Sequence, residues 1–494
     1  MEIINTNNNK LMKRIHLLAT TKLCLLMTAG ILLSSCADTF NSDETFSGGI
    51  SNATLTSPEA EGITITKSTD GSSMTIEWQV VYGAGGYEVK LFNASDEANP
   101  LINDTIDGCK MVVDCLEDTN YKLLVRTLGN DKLNNKEAAT ATQKDFSTFT
   151  KAYAKISAGD LYDYFQQNPI SDTVAYSQEL TFDLEPGGKY TLRKSLNFNY
   201  HKVTLRTTDK YNRATITLAD SANFIVSNDF TLKYLNVDAT TVTKPFMEAY
   251  KYSEEPTEEV GITKPKNYFL IDFVRLMDCN ILGVMGSLFY DNNLSWAVVN
   301  FMVKNTIITM NTVTDRIKFE SFISFQGGGI KDFSCANSTI AQYGEGNSKY
   351  FLRYNNSVRV DRLGWTQSDH TTLTYTNNTF YKVANGQWAN YSGIQNYTAY
   401  DCQNNIWYDC ADGQIARRMM GNGRLGSNCS FNSVNNTYWH NGEQADQGNY
   451  DTSIQLTTDP AFVNPEELNF TVTGAEQVEK KTGDLRWFSY TPAE

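Results

Sequence analysis

The sequence predicts an all-β protein, an N-terminal β-sandwich followed by a right-handed parallel β-helix. Three observations predict it. Short stretches with apolar residues at every second position recur at sandwich spacing between residues 50 and 150. Asn-centred segments then repeat through the second half, and no proline falls between Pro265 and Pro460, as strands that pair on both sides require. Aromatics make up 12% of the 494 residues and Gly (32) outnumbers Pro (10), a mix that favours strands and turns over a helical bundle.

Residues 1–35 form a targeting segment. Basic Lys10, Lys13, Arg14 and Lys22 precede an apolar run from Leu23 to Leu33 that is too short to span a bilayer. The run ends Leu33-Ser34-Ser35-Cys36, which resembles the bacterial lipobox, in which the cysteine thiol takes a diacylglyceryl group. Cleavage before Cys36 would leave a lipid-tethered chain at the cell surface of the outer membrane. The next residues, 36–50, are a polar acidic tether. Without the leader the formal charge moves from −14 to −17, a field that argues against nucleic acid as a partner.

Residues 51–150 hold the alternating stretches Met74-Thr75-Ile76-Glu77-Trp78, Gly86-Tyr87-Glu88-Val89-Lys90-Leu91 and Tyr121-Lys122-Leu123-Leu124-Val125-Arg126. Together with Ala84-Gly85-Gly86-Tyr87 and Leu116-Glu117-Asp118-Thr119-Asn120-Tyr121 they resemble a fibronectin type III domain with Tyr121 as its corner tyrosine. Such modules usually act as spacers. Residues 151–180 read as a linker with a short capping helix, for which Ser157 is available as N-cap.

Residues 181–475 carry the repeat. Aligning its segments places Asn236, Asn280, Asn305, Ser338, Asn378, Asn405 and Asn436 at one position, each expected at a turn that tolerates left-handed backbone and in a ladder along the helix axis. Cys335 and Cys402 fall at equivalent places and read as core residues. An insertion from 243 to 267, with Pro245, Pro256, Pro265 and the acidic Glu254, Glu255, Glu258 and Glu259, reads as a solvated loop. Residues 476–494 are expected to cap the last coil, whose open edge would otherwise invite aggregation.

Seven cysteines remain beyond Cys24 and Cys36, an odd number, so at least one is unpaired within the chain. Cys109 and Cys115 are candidates for a bridge or for free thiols. No Cys/His cluster has metal-ligand spacing, so no metal is assigned. Hydrolysis by clustered aspartates lacks its Asp-Asp pair, and the one Arg-x-Lys match, Arg316-Ile317-Lys318, is expected by chance. Gly327-Gly328-Gly329 lacks a following Lys-Ser/Thr and reads as a tight coil corner. His201, His370 and His440 are far apart in sequence and suggest no triad.

Basic residues gather at Lys349, Arg353, Arg359 and Arg362, with Arg417 and Arg418 later. Arginine forks pair bidentately with carboxylates, so these residues are candidates to hold a uronate chain. The plainer alternative is that they balance nearby aspartates. Trp365, Trp388 and Tyr391 lie between repeats, where their faces would stack on sugar rings or pack loops onto the wall.

The lipobox, the fibronectin-like module, Gly187-Gly188-Lys189-Tyr190-Thr191-Leu192 and the Asn-rich repeats together resemble Bacteroidetes surface lipoproteins encoded beside polysaccharide-uptake systems, of families with no assigned function and a pectin-lyase-like β-helix. The resemblance implies surface capture of a pectin-type, acidic polysaccharide and transfer to uptake transporter components. It carries over no catalytic residue and no cofactor. Two alternatives stand beside non-catalytic capture: a polysaccharide lyase that abstracts a proton with one of the basic residues, for which calcium is the possible cofactor, and an adhesin or structural surface protein.

Overall fold

The computed structural model describes residues 49–68, 73–311, 321–344, 346, 348–354, 371–391, 398–420 and 429–488. The chain divides into two compact units, Met1–Phe149 and Thr150–Glu494.

In the first unit Thr64–Lys67, Ser73–Glu77 and Lys110–Asp114 pair antiparallel. A second antiparallel sheet runs Ile102–Ile106, Gly86–Asn93, Asn120–Leu128, Thr142–Ser147. Period-two alternation decides which side chains are enclosed: Met74, Ile76, Val89, Leu91, Leu123 and Val125 are buried while their neighbours are not. Trp78 meets Tyr87 edge to face at 5.3 Å. The Tyr121 hydroxyl accepts the Leu116 amide at 2.9 Å, which ties the start of its strand to the preceding turn. Cys109 and Cys115 are free thiols packed against this core.

The second unit is a parallel β-helix of three sheets. Each coil visits sheet 1 (first strand Ala154–Ile156, last Ser430–Val434), then sheet 2 (Lys189–Leu192 to Thr437–His440), then sheet 3 (Leu196–Asn197 to Gln387–Tyr391), and each strand pairs in parallel with its counterpart one coil away. Helix α1 (Leu161–Gln167) covers the first coil, with Leu161 and Phe165 buried in the core and Phe165 against Phe182 and Phe198. Its N-cap is Asp160, whose carboxylate accepts the Asp163 amide at 3.0 Å, not Ser157. The cap falls directly before the first buried apolar residue, and Asp160 is the one adjacent to it.

From the strand Phe230–Lys233 onward, the turn from sheet 1 to sheet 2 uses one left-handed residue per coil: Tyr234, Asp278, Asn305, Asn337, Asn377, Asn404 and Asn435, with φ from 49° to 57°. Asparagine recurs there because it tolerates that backbone. The following residue points inward and forms a second, fully buried column. In it the Thr306 hydroxyl accepts the Cys279 amide, Ser338 that of Thr306, Asn378 that of Ser338, Asn405 that of Asn378 and Asn436 that of Asn405, at 3.0 to 3.3 Å. The expected ladder therefore exists, but its register needs correction. Asn236 and Asn280 lie one residue after the buried column and Asn305 one before it.

Cys335 and Cys402 do share one buried column of sheet 1, with Tyr375 between them. Gly327-Gly328-Gly329 does form a corner. The buried carboxylate of Asp291 accepts the amides of Gln326, Gly327 and Gly328 at 2.7 to 2.8 Å, and a Cβ on Gly328 would sit 1.5 Å from the Trp296 carbonyl oxygen.

Two further expectations are corrected. The 243–267 insertion is not all solvated loop, because Met247–Ala249 is a strand of sheet 3 and Phe246 and Ile262 are buried. Residues 476–494 are expected over the last coil, but their described part, to residue 488, runs back along the outside of sheet 2. Gln477 bonds Thr437, the Gly483 amide bonds Asn404, buried Asp484 bonds Thr379 and Thr339, and Trp487 donates to Thr339. The hairpin Phe462–Asn464 with Asn469–Val472 lays Phe462 and Phe470 on Tyr381. This belt takes the outer face of the C-terminal half of sheet 2 out of solvent.

Candidate functional site

With sheet 2 covered at its C-terminal half, sheet 3 offers a wall whose outer side chains form one continuous register row: Asn197, Ile225, Glu248, Tyr290, Ser324, Arg353 and Asn390. The adjoining register row, Leu196, Phe224, Met247, Phe289, Ile323, Leu352 and Ala389, lies in the core, so alternation turns the first row outward. At about 4.8 Å per strand, the six steps span about 29 Å. The row is half-buried apart from Ser324, which is fully buried, and polar apart from Ile225. It presents the amides of Asn197 and Asn390, the Glu248 carboxylate, the Tyr290 phenol and the Arg353 guanidinium along the helix axis.

Sequence-predicted residues distribute unevenly around it. Arg353 stands in the row, between Ser324 and Asn390. Lys349 begins the same coil's approach to sheet 3, exposed, about 13 Å away along an extended strand, with its ammonium 5.4 Å from the Tyr350 ring. Tyr391 closes the last sheet 3 strand, Gln387–Tyr391; its side chain lies outside the described residues.

Helix α2 (Ile415–Met420) occupies the place where the next sheet 3 strand would come, and packs on Gln387–Tyr391 through buried Ile415, Ala416 and Met419. Arg417 projects to solvent from it. Arg418 is half-buried and held by Asp412, Nη2 to Oδ2 at 2.5 Å and Nε to Oδ2 at 2.9 Å, so its charge is internally matched.

Trp388 is a correction. It does not line a groove: its indole is fully buried, stacked on Phe351 at 4.2 Å and 5° and packed edge to face on Phe380 and Trp407. An aromatic between repeats has two destinations, and here the coil interior encloses the ring on both faces. Cys36, Arg359, Arg362 and Trp365 lie outside the described residues, as do Arg316, Lys318 and His370.

Reasoning from sequence missed Glu248, Tyr290, Ser324 and Asn390. They meet only through strand register, across separations of 29 to 42 residues, on strands as short as Phe289–Tyr290.

Among the described residues no group of three or more His, Cys, Asp or Glu side chains converges in a way that could hold a metal ion. Burial pushes the thiols of Cys279, Cys335, Cys402 and Cys410 up, Cys279 to about 12, so these cysteines stay protonated and inert. His440 Nδ1 is 3.6 Å from the Asp409 carboxylate. The arrangement on sheet 3 is thus equipped for polar and charge-assisted contacts along a linear ligand.

Three family models match the chain: DUF4992 over residues 10–187, DUF4957 over 188–343 and DUF5123 over 373–487, each described as a domain of unknown function. No curated protein matches. Among solved structures, pectate lyase PelI from Erwinia chrysanthemi, in complex with tetragalacturonic acid, is similar over 70% of this chain and 79% of that chain, at 10% identity and a TM-score of 0.14. That likeness is too remote to bear on fold or function, and the β-helix rests on its own strand pairing.

Proposed function

We propose that the mature chain is a surface lipoprotein that binds an extended acidic polysaccharide of the pectin type along sheet 3 and passes it to uptake components without cleaving it. The lipid on Cys36 is its anchor, the first unit is a fibronectin type III spacer, and the β-helix is right-handed and pectin-lyase-like. The Tyr121–Leu116 bond and the two antiparallel sheets support the spacer. Right-handed crossovers are the rule for parallel strands and support the hand of the coil.

The observation that carries the reading is the outer row of sheet 3. A chain polymer presents repeating groups at near-constant spacing, and the row answers with the polar side chains of Tyr290, Arg353 and Asn390 toward its C-terminal end, beyond which helix α2 adds Arg417. Guanidinium groups pair with carboxylates bidentately and supply the contacts that favour a uronate over a neutral sugar. The formal charge of −17 that the mature chain carries opposes a polyanion at long range, so binding must come from these local contacts.

The test is calorimetry of residues 37–494, which keep every described residue, with polygalacturonate and with a neutral pectic side-chain glycan. Arg353→Gln is expected to weaken polygalacturonate binding roughly tenfold or more, the loss of one charge-assisted hydrogen bond. An unchanged affinity in both Arg353→Gln and Arg417→Gln would remove sheet 3 from the reading.

A further inference from the structure

At the first coil a cavity of about 310 Å³ opens between helix α1, the segment that follows it and the turn from sheet 3 back to sheet 1. Its floor is apolar, from Phe165 and Phe198, which are buried against each other. Its wall includes Tyr176, whose ring stacks on His201 at 4.6 Å and 24°. Tyr176 is itself braced from behind, since a Cβ on Gly261 would come within 2.8 Å of it.

The turn is built at a conformational cost. Asn199 and Tyr200 are both left-handed, at φ 49° and 67°, and a tyrosine in that region is strained. Four bonds hold it: Asn199 N to Asn197 Oδ1, Tyr200 N to Ser227 Oγ, His201 N to Phe198 O, and Asn228 Nδ2 to Tyr200 O. The turn places both Asn199 and His201 on the cavity wall. His201 is only 5% exposed, and its Nδ1 has no hydrogen-bond partner among the described residues. An imidazole nitrogen enclosed without a partner is costly unless something supplies one.

We infer that this cavity is a binding site for one neutral, hydroxyl-rich sugar ring. The volume lies at the small end of ligand pockets. Tyr176 and the phenylalanines offer apolar surface to a ring's C–H face, exposed Asn199 offers a donor and an acceptor to hydroxyls, and His201 lines the wall beside it. The formally charged side chain on the wall is the carboxylate of Asp172, which accepts from hydroxyls and repels an anionic ligand. The site is thus chemically opposite to the guanidinium end of sheet 3, and it does not depend on the polyanion reading.

The experiment follows the histidine Cε1–H resonances of residues 37–494, where only His201, His370 and His440 contribute, during titration with D-galactose or D-galacturonate. His201→Gln identifies the signal. D-Galactose is expected to shift the His201 resonance saturably and D-galacturonate to leave it unmoved. Asn199→Gly suits the left-handed backbone and removes only the side-chain amide, so it should fold normally and weaken galactose binding about fivefold. A His201 signal that galactose leaves in place, an equal response to galacturonate, or full affinity in Asn199→Gly would overturn the assignment. Failure of polygalacturonate to bind would leave all three readouts intact.

Discussion

Asn405→Ala isolates the buried column. The Asn405 Oδ1 accepts from the amide and the side chain of Asn378 at 3.1 and 2.9 Å, and its Nδ2 donates to the Tyr375 carbonyl at 2.7 Å and to Asn436 Oδ1 at 3.1 Å. Alanine removes all four bonds inside a fully buried site. The Asn378 side chain keeps its bond to the Cys335 carbonyl, Asn436 Oδ1 keeps the Asn405 amide and Tyr375 stays in the ladder with the next coil, so the group hit hardest is the Asn378 amide. At about 1–3 kcal/mol for that buried amide left unpaired, with the other bonds of a buried side chain lost besides, the loss should be about 2–4 kcal/mol. Asn405→Ser restores an acceptor of the kind that Ser338 already supplies in this column, and should lose less than the alanine variant. Asn404→Gly changes the neighbouring left-handed residue, φ 55°, which glycine adopts freely, and should lose less than ~1 kcal/mol. Urea unfolding followed by tryptophan fluorescence reads all three, compared at matched m-values because a coil array need not melt in one step. Equal losses for Asn405→Ala and Asn404→Gly would refute the distinction between the buried column and the turn column.

Gly328→Ala would drive a methyl group into the Trp296 carbonyl and displace the amides that Asp291 holds; it should lower the thermal midpoint by several degrees, read by circular dichroism, and a neutral result would mean that the corner is not close-packed. Asp484→Ala removes the buried acceptor for Thr339 and Arg486, so limited proteolysis should cut the C-terminal belt faster than in the parent chain while the β-helix stays intact. Burial holds the His201 pKa below its ordinary value of about 6.5. The unfolded chain therefore binds the proton first as pH falls, so this stabilisation is complete above that value and is lost on acidification toward the folded pKa. His201→Gln should narrow the gap between thermal midpoints at pH 7.5 and 5.5, and an unchanged gap would contradict a depressed pKa.

The coil repeat was legible because a left-handed turn selects asparagine, and that selection survives variable insertions. The register was not fully legible, since two adjacent columns accept the same residue. Where the buried position holds Leu235, Cys279 or Thr306, the asparagine beside it belongs to another column, which produced the one-residue slips at Asn236, Asn280 and Asn305. Prolines and acids hid Met247–Ala249, because a three-residue strand has too little alternation to stand out from its flanks. Trp388 shows the same limit for aromatics: whether a ring stacks on Phe351 or faces a ligand is decided by neighbours one coil away. Of the candidate site, Arg353 was visible as part of a basic run, whereas Glu248, Tyr290 and Asn390 join it only through parallel pairing over long sequence separations.

The most direct test of polysaccharide capture is titration calorimetry of residues 37–494 with polygalacturonate in calcium-containing buffer, followed by sizing of the recovered polymer. Capture predicts saturable heat, lost in the Arg353→Gln and Arg417→Gln double variant, with the polymer recovered at its starting length. Continuing heat with unsaturated fragments would make the protein a lyase, and no heat would contradict acidic-glycan capture.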